Sequence, residues 1–492
     1  MRSKLIYIFV LLTGFFSCGK PPQVEFPNDH ISQTKIVNYS EMTEVLQTAA
    51  KQDNITLKSM GKSIEGRDLW LLNIRPREIT DDPLKVFLFG QQHGNEPAGK
   101  DAIIWLTKYL ANNCDLMSPD IDLYLMPMVN PDGAEKNQRR NANNADLNRD
   151  HLLLEEPETQ FLYDTFHYIK PDVTVDCHEF NRSSGNYLDL GYEEWPQIMM
   201  GCGNNPLIAD EIYQQGVKTV EDLKIPMKNA GHNYCRYFVG GMPPLDENRY
   251  STLEGDDGRN GMALLGALSF IIESGVKRNT RNPDADLGVR VDAYLTIFQY
   301  LISDKQFIAN ALKVTDRQQE LPEYPPVNYF WGKTEQDIDS IMVYQAGKET
   351  TIPTANFMQT RIIKKSVKAP EKYVIPAKKS ELFQQLLDRH KIEYSSLDEA
   401  RTFTGEPVQL LRIENHFDEV YNRYGGRQIT QMAESKRVTF PEGSLVIDLK
   451  KSKFPMKVFY VLDPCNLYGL YQHENFYKLV DDDILPVYRV LK

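Results

Sequence analysis

Apolar and polar residues fall into blocks whose periods predict an ordered series of elements. Val86-Phe-Leu-Phe-Gly90 is an apolar strand-like run ending at a glycine. Gln91-Gln-His-Gly-Asn-Glu96 follows, and Pro97 then opens an apolar-periodic stretch over residues 102–110 that reads as a helix. Further strand-like runs cover residues 121–128, 172–177 and 266–272. They lead into Val129-Asn-Pro-Asp-Gly133, His178-Glu179 and Glu273. Four apolar runs thus deliver polar groups near their carboxyl ends, the edge where open α/β sheets bind ligands.

Residues 289–312 read as helical, with apolar positions at Val291, Tyr294, Ile297, Leu301 and Ile308. Glu320-Leu-Pro-Glu-Tyr-Pro-Pro326 cannot continue a helix. Beyond it short alternating segments at 372–375, 408–413 and 444–448 predict strands, with one helix over 379–390. A chain of 492 residues exceeds what one core usually supports. The expected organisation is an α/β domain over 36–312, a linker over 313–330 and a smaller β-rich accessory domain over 331–492. No internal repeat or low-complexity tract interrupts this, and His390, His416 and His473 stand alone, which favours structural roles.

The chemistry centres on His93 and Glu96. An imidazole and a carboxylate three residues apart at a strand end can converge on one ion, and that donor set suits zinc. His-x-x-Glu alone is a weak signal, since it often occurs by chance and a surface turn accounts for it better. The other strand ends strengthen it.

The order of pieces resembles the M14 family of zinc carboxypeptidases. Those pieces are His93-x-x-Glu96, Asn130-Pro-Asp-Gly133, Arg139-x-Asn141, Asp146-Leu-Asn-Arg149, His178 and the late Glu273, over about residues 40 to 300. The resemblance implies a mixed, mostly parallel sheet flanked by helices, one zinc ion and a peptide substrate. It also implies His93, Glu96 and His178 as zinc ligands, with Arg139 beside the scissile carbonyl and Arg140 its adjacent rival. Asn148 and Arg149 would grip the substrate's terminal carboxylate, and Glu273 would be the general base. Tyr250, 23 residues before Glu273, is the nearest match to the family's closing tyrosine, ahead of Tyr234 and Tyr237. The segment Glu254-Gly-Asp-Asp-Gly-Arg-Asn-Gly261 departs from the usual family pattern. Asp256 and Asp257 there either meet a basic side chain or, the better reading, form a turn.

These assignments also make chemical sense. A carboxylate ending a buried apolar strand has its pKa raised towards a useful range. An oxyanion needs a cation, and a free carboxylate is held best by a guanidinium. Asp176 or Glu179 could orient a zinc-bound imidazole. By period two Cys177 points away from His178 and reads as a buried thiol.

The amino terminus bears on location. Arg2 and Lys4 precede an apolar run over residues 5–16, too short for a stable bilayer span. It ends at Phe15-Phe-Ser-Cys18, which resembles a bacterial lipoprotein signal, so residues 1–17 are expected to be removed and Cys18 lipidated. Residues 18–35 would form a tether. The expected location is the bacterial cell envelope, lipid-anchored and facing periplasm or cell surface, with no other membrane contact. Loss of Arg2 and Lys4 takes the formal charge from -12 to -14, which disfavours nucleic acid and anionic surfaces. Of six cysteines, removing Cys18 from the count leaves an odd number, so at least one free thiol is expected unless chains pair. The same zinc chemistry would serve an amidase acting on peptidoglycan peptides or small acyl-amino acids. A catalytically silent peptide-binding lipoprotein needs neither Glu273 nor Arg139.

Overall fold

The computed structural model describes residues 35–182, 185–241, 245–276, 286–315, 320–418, 423–481 and 483–491. Cys18 and its apolar run lie outside them.

An eight-stranded mixed sheet organises the amino-terminal two thirds. Its spatial order is Ile55–Lys62, Asp68–Ile74, Ile121–Met126, Leu84–Gly90, Val173–Asn181, Leu268–Val276, Ile198–Cys202 and Tyr234–Arg236. The four central strands pair in parallel, and antiparallel pairs close both sides. Both faces are covered, which is why these strands read as unbroken apolar runs. Val86 and Leu88 pack with the helices Pro97–Asn112 and Leu287–Ser303, while Phe87 and Phe89 pack with Leu162 and Phe166 of Pro157–Ile169. The expected α/β architecture is therefore present.

Two central strands run beyond their expected ends. Val173–Asn181 and Leu268–Val276 stay paired past the apolar runs, so His178 and Glu273 lie within strands and face each other as register partners. Polar groups inside paired strands carry no signal in an apolar run. The helix expected over 289–312 is two helices, Leu287–Ser303 and Lys305–Thr315. Asp304 interrupts them and accepts from the Phe307 amide at 2.8 Å, as an N-cap does.

The carboxyl-terminal part is rich in strands. A six-stranded sheet runs Ser395–Ser396, Leu445–Asp448, Lys372–Ile375, Tyr488–Val490, Arg401–Glu406 and Lys436–Phe440. The strand Pro326–Gly332 begins inside the stretch expected as a linker and pairs with Thr360–Ser366. Ser340–Gln345 joins Tyr192–Glu194, and Asn356–Met358 joins Glu247–Tyr250. These strands thus complete small sheets begun by the α/β region. Among the described residues no helix is long and apolar enough to cross a membrane, and the five described cysteines are all free thiols.

Candidate metal centre and cleft

The His93 loop is held by its neighbours' backbone. Leu84–Gly90 ends, and Gln91 takes a left-handed φ of 55° while its side-chain amide donates to the Gly94 carbonyl at 2.8 Å. A non-glycine residue there is uncommon and recurs at functional sites. A Cβ on Gly94 would lie 2.1 Å from the Gly133 carbonyl carbon, so the loop packs directly on the Asn130-Pro-Asp-Gly133 turn. Asn130 caps that turn, accepting from the Gly133 amide at 2.9 Å and donating to the Gln92 carbonyl at 3.1 Å. Glu96 precedes Pro97, the first residue of the long helix. The turn motif thus buttresses the loop.

His93, Glu96 and His178 converge, all three buried. His93 Nδ1 lies 2.9 Å from Glu96 Oε1, His178 Nδ1 lies 3.0 Å from Glu96 Oε2, and the two Nδ1 atoms are 3.1 Å apart. Nitrogens each about 2.0–2.1 Å from one tetrahedral zinc stand roughly 3.3 Å apart, so the donor atoms fit one ion. The outer nitrogens meet carboxylates. His93 Nε2 lies 3.0 Å from Asp146 Oδ1, and His178 Nε2 lies 2.9 Å from Asp176 Oδ1. That arrangement puts the proton on each Nε2 and a lone pair on each Nδ1, as a ligand requires. Burial works against a charged His178, but Asp176 and Glu96 outweigh it and push its pKa well up. So anionic a site is suited to a cation.

Arg139 reaches this cluster and Arg140 does not. Arg139 Nη1 lies 3.1 Å from His93 Nδ1 and 3.3 Å from Glu96 Oε1, and its Nε donates to Asp146 Oδ2 at 3.0 Å. Arg140 is exposed and donates to the Asn144 carbonyl. Burial alone would raise Asp146, yet His93, Arg139 and Arg149 hold its carboxyl well below the usual range. Asp146 therefore orients a metal-facing histidine and the arginine together. The sequence shows it only as a neighbour of Asn148 and Arg149.

A cleft of about 590 Å³ opens over these groups, lined by Arg139, Asn148, Arg149, Tyr237, Arg249 and Glu273 among others. Glu273 is buried on its strand and interacts with Tyr237. Burial, opposed by His178, pushes its carboxyl up to about 7. Arg149 donates to the Asn148 carbonyl at 2.5 Å. Asn148 also borders the cleft, but its side chain is engaged. Its Oδ1 accepts from the Gly258 amide at 2.7 Å and from Gln92 Nε2 at 3.4 Å. Asp257 caps the helix Gly258–Ala263 and pairs with Arg259 at 2.8 Å, which accords with a turn role. Glu179 pairs with Arg290 at 2.8 Å and leaves the imidazole of His178 to Asp176.

Tyr250 corrects the sequence expectation. Its ring packs on Trp331 and Phe357 beneath the Arg236 guanidinium, and its hydroxyl donates to Gln359 at 3.1 Å. It does not line the metal cleft, whereas Tyr237 does. Tyr250 ends the strand Glu247–Tyr250, which pairs with Asn356–Met358 from the carboxyl-terminal part and places its ring outside the cleft lining. That partner is invisible in local sequence.

The family model for zinc carboxypeptidases, Peptidase_M14, matches residues 42–188. That stretch is similar to an M14 zinc carboxypeptidase domain. The family's metal is zinc, which the donor set fits. Carboxypeptidase 2 of Trichophyton equinum is 26% identical over 412 residues, covering 78% of this chain and 72% of that protein. Carboxypeptidase SOL1 of Arabidopsis thaliana is 33% identical over 140 residues, 25% of this chain, and the match spans only 28% of its own length. Among solved structures, carboxypeptidase A from Helicoverpa armigera aligns with a TM-score of 0.44 at 18% identity, over 58% of this chain and 76% of that one.

Proposed function

We propose that this M14 domain is a metallocarboxypeptidase that removes the C-terminal residue of a peptide. The convergence of two imidazole Nδ1 atoms and a carboxylate beneath a cleft edged by Glu273 and Arg149 carries the reading. His93, Glu96 and His178 would hold zinc, which when bound supplies an acidified water and polarises a carbonyl. Glu273, with its raised pKa, accepts a proton from water and delivers it to the leaving amine. Arg139 faces the charge that develops on the scissile oxygen. Arg149 takes the substrate's free carboxylate. Asn148, with its amide engaged, positions rather than grips. Tyr237 takes the cleft-lining place once expected of Tyr250.

The same residues would serve an amidase for peptidoglycan peptides or small acyl-amino acids. A panel of defined peptides, muropeptides and acyl-amino acids, incubated with zinc-loaded protein and read by mass, separates these. Release of single C-terminal residues from ordinary peptides supports the carboxypeptidase reading. Turnover confined to muropeptides or acyl-amino acids replaces it, and binding without turnover favours the silent binder.

We also propose a bacterial envelope lipoprotein, cleaved before Cys18 and anchored through it, with residues 18–35 as tether. The support is the short apolar run and the cysteine after Ser17. One acyl chain anchors weakly, whereas a multiply acylated cysteine holds well. Cys18→Ala should release the protein or leave its precursor unprocessed. Unchanged fractionation and migration would refute the anchor.

A further inference from the structure

The segment 147–154 runs from the cleft to the carboxyl-terminal region. Asn148 and Arg149 at one end line the cleft. Leu154 at the other has a left-handed φ of 51°. Four successive carbonyls between them face basic side chains from far along the chain. Lys457 Nζ donates to the His151 carbonyl at 2.9 Å, and His390 Nε2 bonds the Leu152 carbonyl at 2.8 Å. Arg389 Nη1 donates to the Leu153 carbonyl at 3.0 Å and the Leu154 carbonyl at 3.3 Å. Tyr163 and Gln160 supply second donors to the His151 and Leu154 carbonyls.

The arrangement is a costly one. Lys457 and His390 are each 1% exposed, and burying such groups is unfavourable unless they are hydrogen-bonded. Arg389 ends the helix Ser380–Arg389 with His390 as its C-cap, and Lys457 lies on Pro455–Leu462, so two separate elements converge on one short segment. The segment has a second output. The His151 ring lies 2.9 Å from Gln92 Oε1, and Gln92 Nε2 donates at 2.8 Å to Asp176, the carboxylate beside His178.

We propose that Arg389, His390 and Lys457 are positioning residues. They hold the segment 147–154 so that Arg149 meets the terminal carboxylate of the substrate, which makes the carboxyl-terminal region part of the substrate-binding apparatus. This rests on the reading that Arg149 grips that carboxylate. A segment released at residues 152–154 keeps its sequence but loses the fixed geometry that a bidentate contact needs.

The test uses full-length, zinc-loaded protein with free-acid peptides and their C-terminal amides. His390→Leu and Arg389→Met remove the donors, while His390→Gln and Arg389→Lys retain one. Zinc content, melting temperature, kcat and KM are measured for each. The donor-removing variants should raise KM for free-acid peptides about tenfold, with kcat within about threefold and zinc retained. The conservative variants should restore KM. Folded donor-removing variants with the parent's KM would overturn the proposal. So would kcat and melting temperature falling together without rescue, which is the signature of structural support alone. Arg389 is only half-buried, so its pair decides if His390→Leu fails to fold. Arg149→Ala separates the two layers. If it leaves KM for free-acid peptides unchanged, the carboxylate reading fails and the proposal with it. If it raises KM while Arg389→Met does not, only the proposal fails.

Discussion

Glu273→Gln tests the catalytic reading with little disturbance elsewhere. The substitution keeps shape and removes the ability to carry a proton. Glu273 is 8% exposed and stands opposite His178 in the parallel register, and burial lifts its carboxyl to about 7. Burial disfavours its charged form, so a neutral amide is a mild replacement. Folding stability should change by no more than about 1 kcal/mol, within the usual spread for volume-conserving changes. Zinc content should not change, because the converging donors are His93, Glu96 and His178. The proton transfer is lost, and general acid–base catalysis is worth about 10²–10⁴-fold. At about 1.4 kcal/mol per tenfold, that is a barrier increase of roughly 2.8–5.6 kcal/mol. Steady-state hydrolysis of a chromogenic acyl-dipeptide, with metal analysis and calorimetry on the same samples, measures all three quantities. A variant that holds zinc and keeps kcat within tenfold of the parent would refute the role given to Glu273.

Other expectations follow from neighbouring groups. Asp176→Asn removes the carboxylate 2.9 Å from His178 Nε2 and should weaken zinc binding about 10–100-fold in a chelator competition; unchanged affinity would show that Asp176 does not orient the ligand. Arg249 lines the cleft and donates to the Tyr250 carbonyl at 3.5 Å, while the acidic wall residues Asp257 and Glu179 are paired with Arg259 and Arg290. Peptides ending in Glu should therefore be cut with a kcat/KM about tenfold above those ending in Lys, roughly 1.4 kcal/mol, and Arg249→Glu should reverse the order; equal rates for both would sink the argument. Glu194 has its carboxyl pushed up to about 7 by burial, with Arg182 opposing. A carboxyl raised in the folded state stabilises fully below its unfolded value near 4.5, and that stability fades as pH rises through about 7. Glu194→Gln should flatten the fall in stability over that window, by at most about 1.4 kcal/mol per pH unit; an unaltered slope in urea titrations would assign the fall to other groups.

Much of the site is legible in the chain because its parts lie at the ends of apolar runs. His93 and Glu96 follow one such run within six residues, and local spacing is enough to pair them. His178 and Glu273 are harder to place, since only the register of two strands distant in sequence brings them face to face. Gln92 leaves no local signal and Asp146 shows only as part of Asp146-Leu-Asn-Arg149, because their work is to hold a ring or a carboxylate that arrives from elsewhere. Tyr237 and Tyr250 show the limit most plainly. Both are tyrosines ahead of Glu273, and the choice between them depends on a strand contributed by residues 356–358. The donors from Arg389, His390 and Lys457 are likewise unreadable, because His390 looks isolated until the segment 151–154 is placed beside it.

A zinc exopeptidase of the kind proposed requires a free C-terminus on its substrate. The direct measurement takes one peptide as its free acid and as its C-terminal amide, incubates each with zinc-loaded protein and with chelator-treated protein, and follows the products by mass. The expected result is loss of a single C-terminal residue from the free acid, little change in the amide, and no cleavage after chelation until zinc is restored. Equal cleavage of acid and amide, internal cleavage, or turnover that survives full metal removal would contradict it.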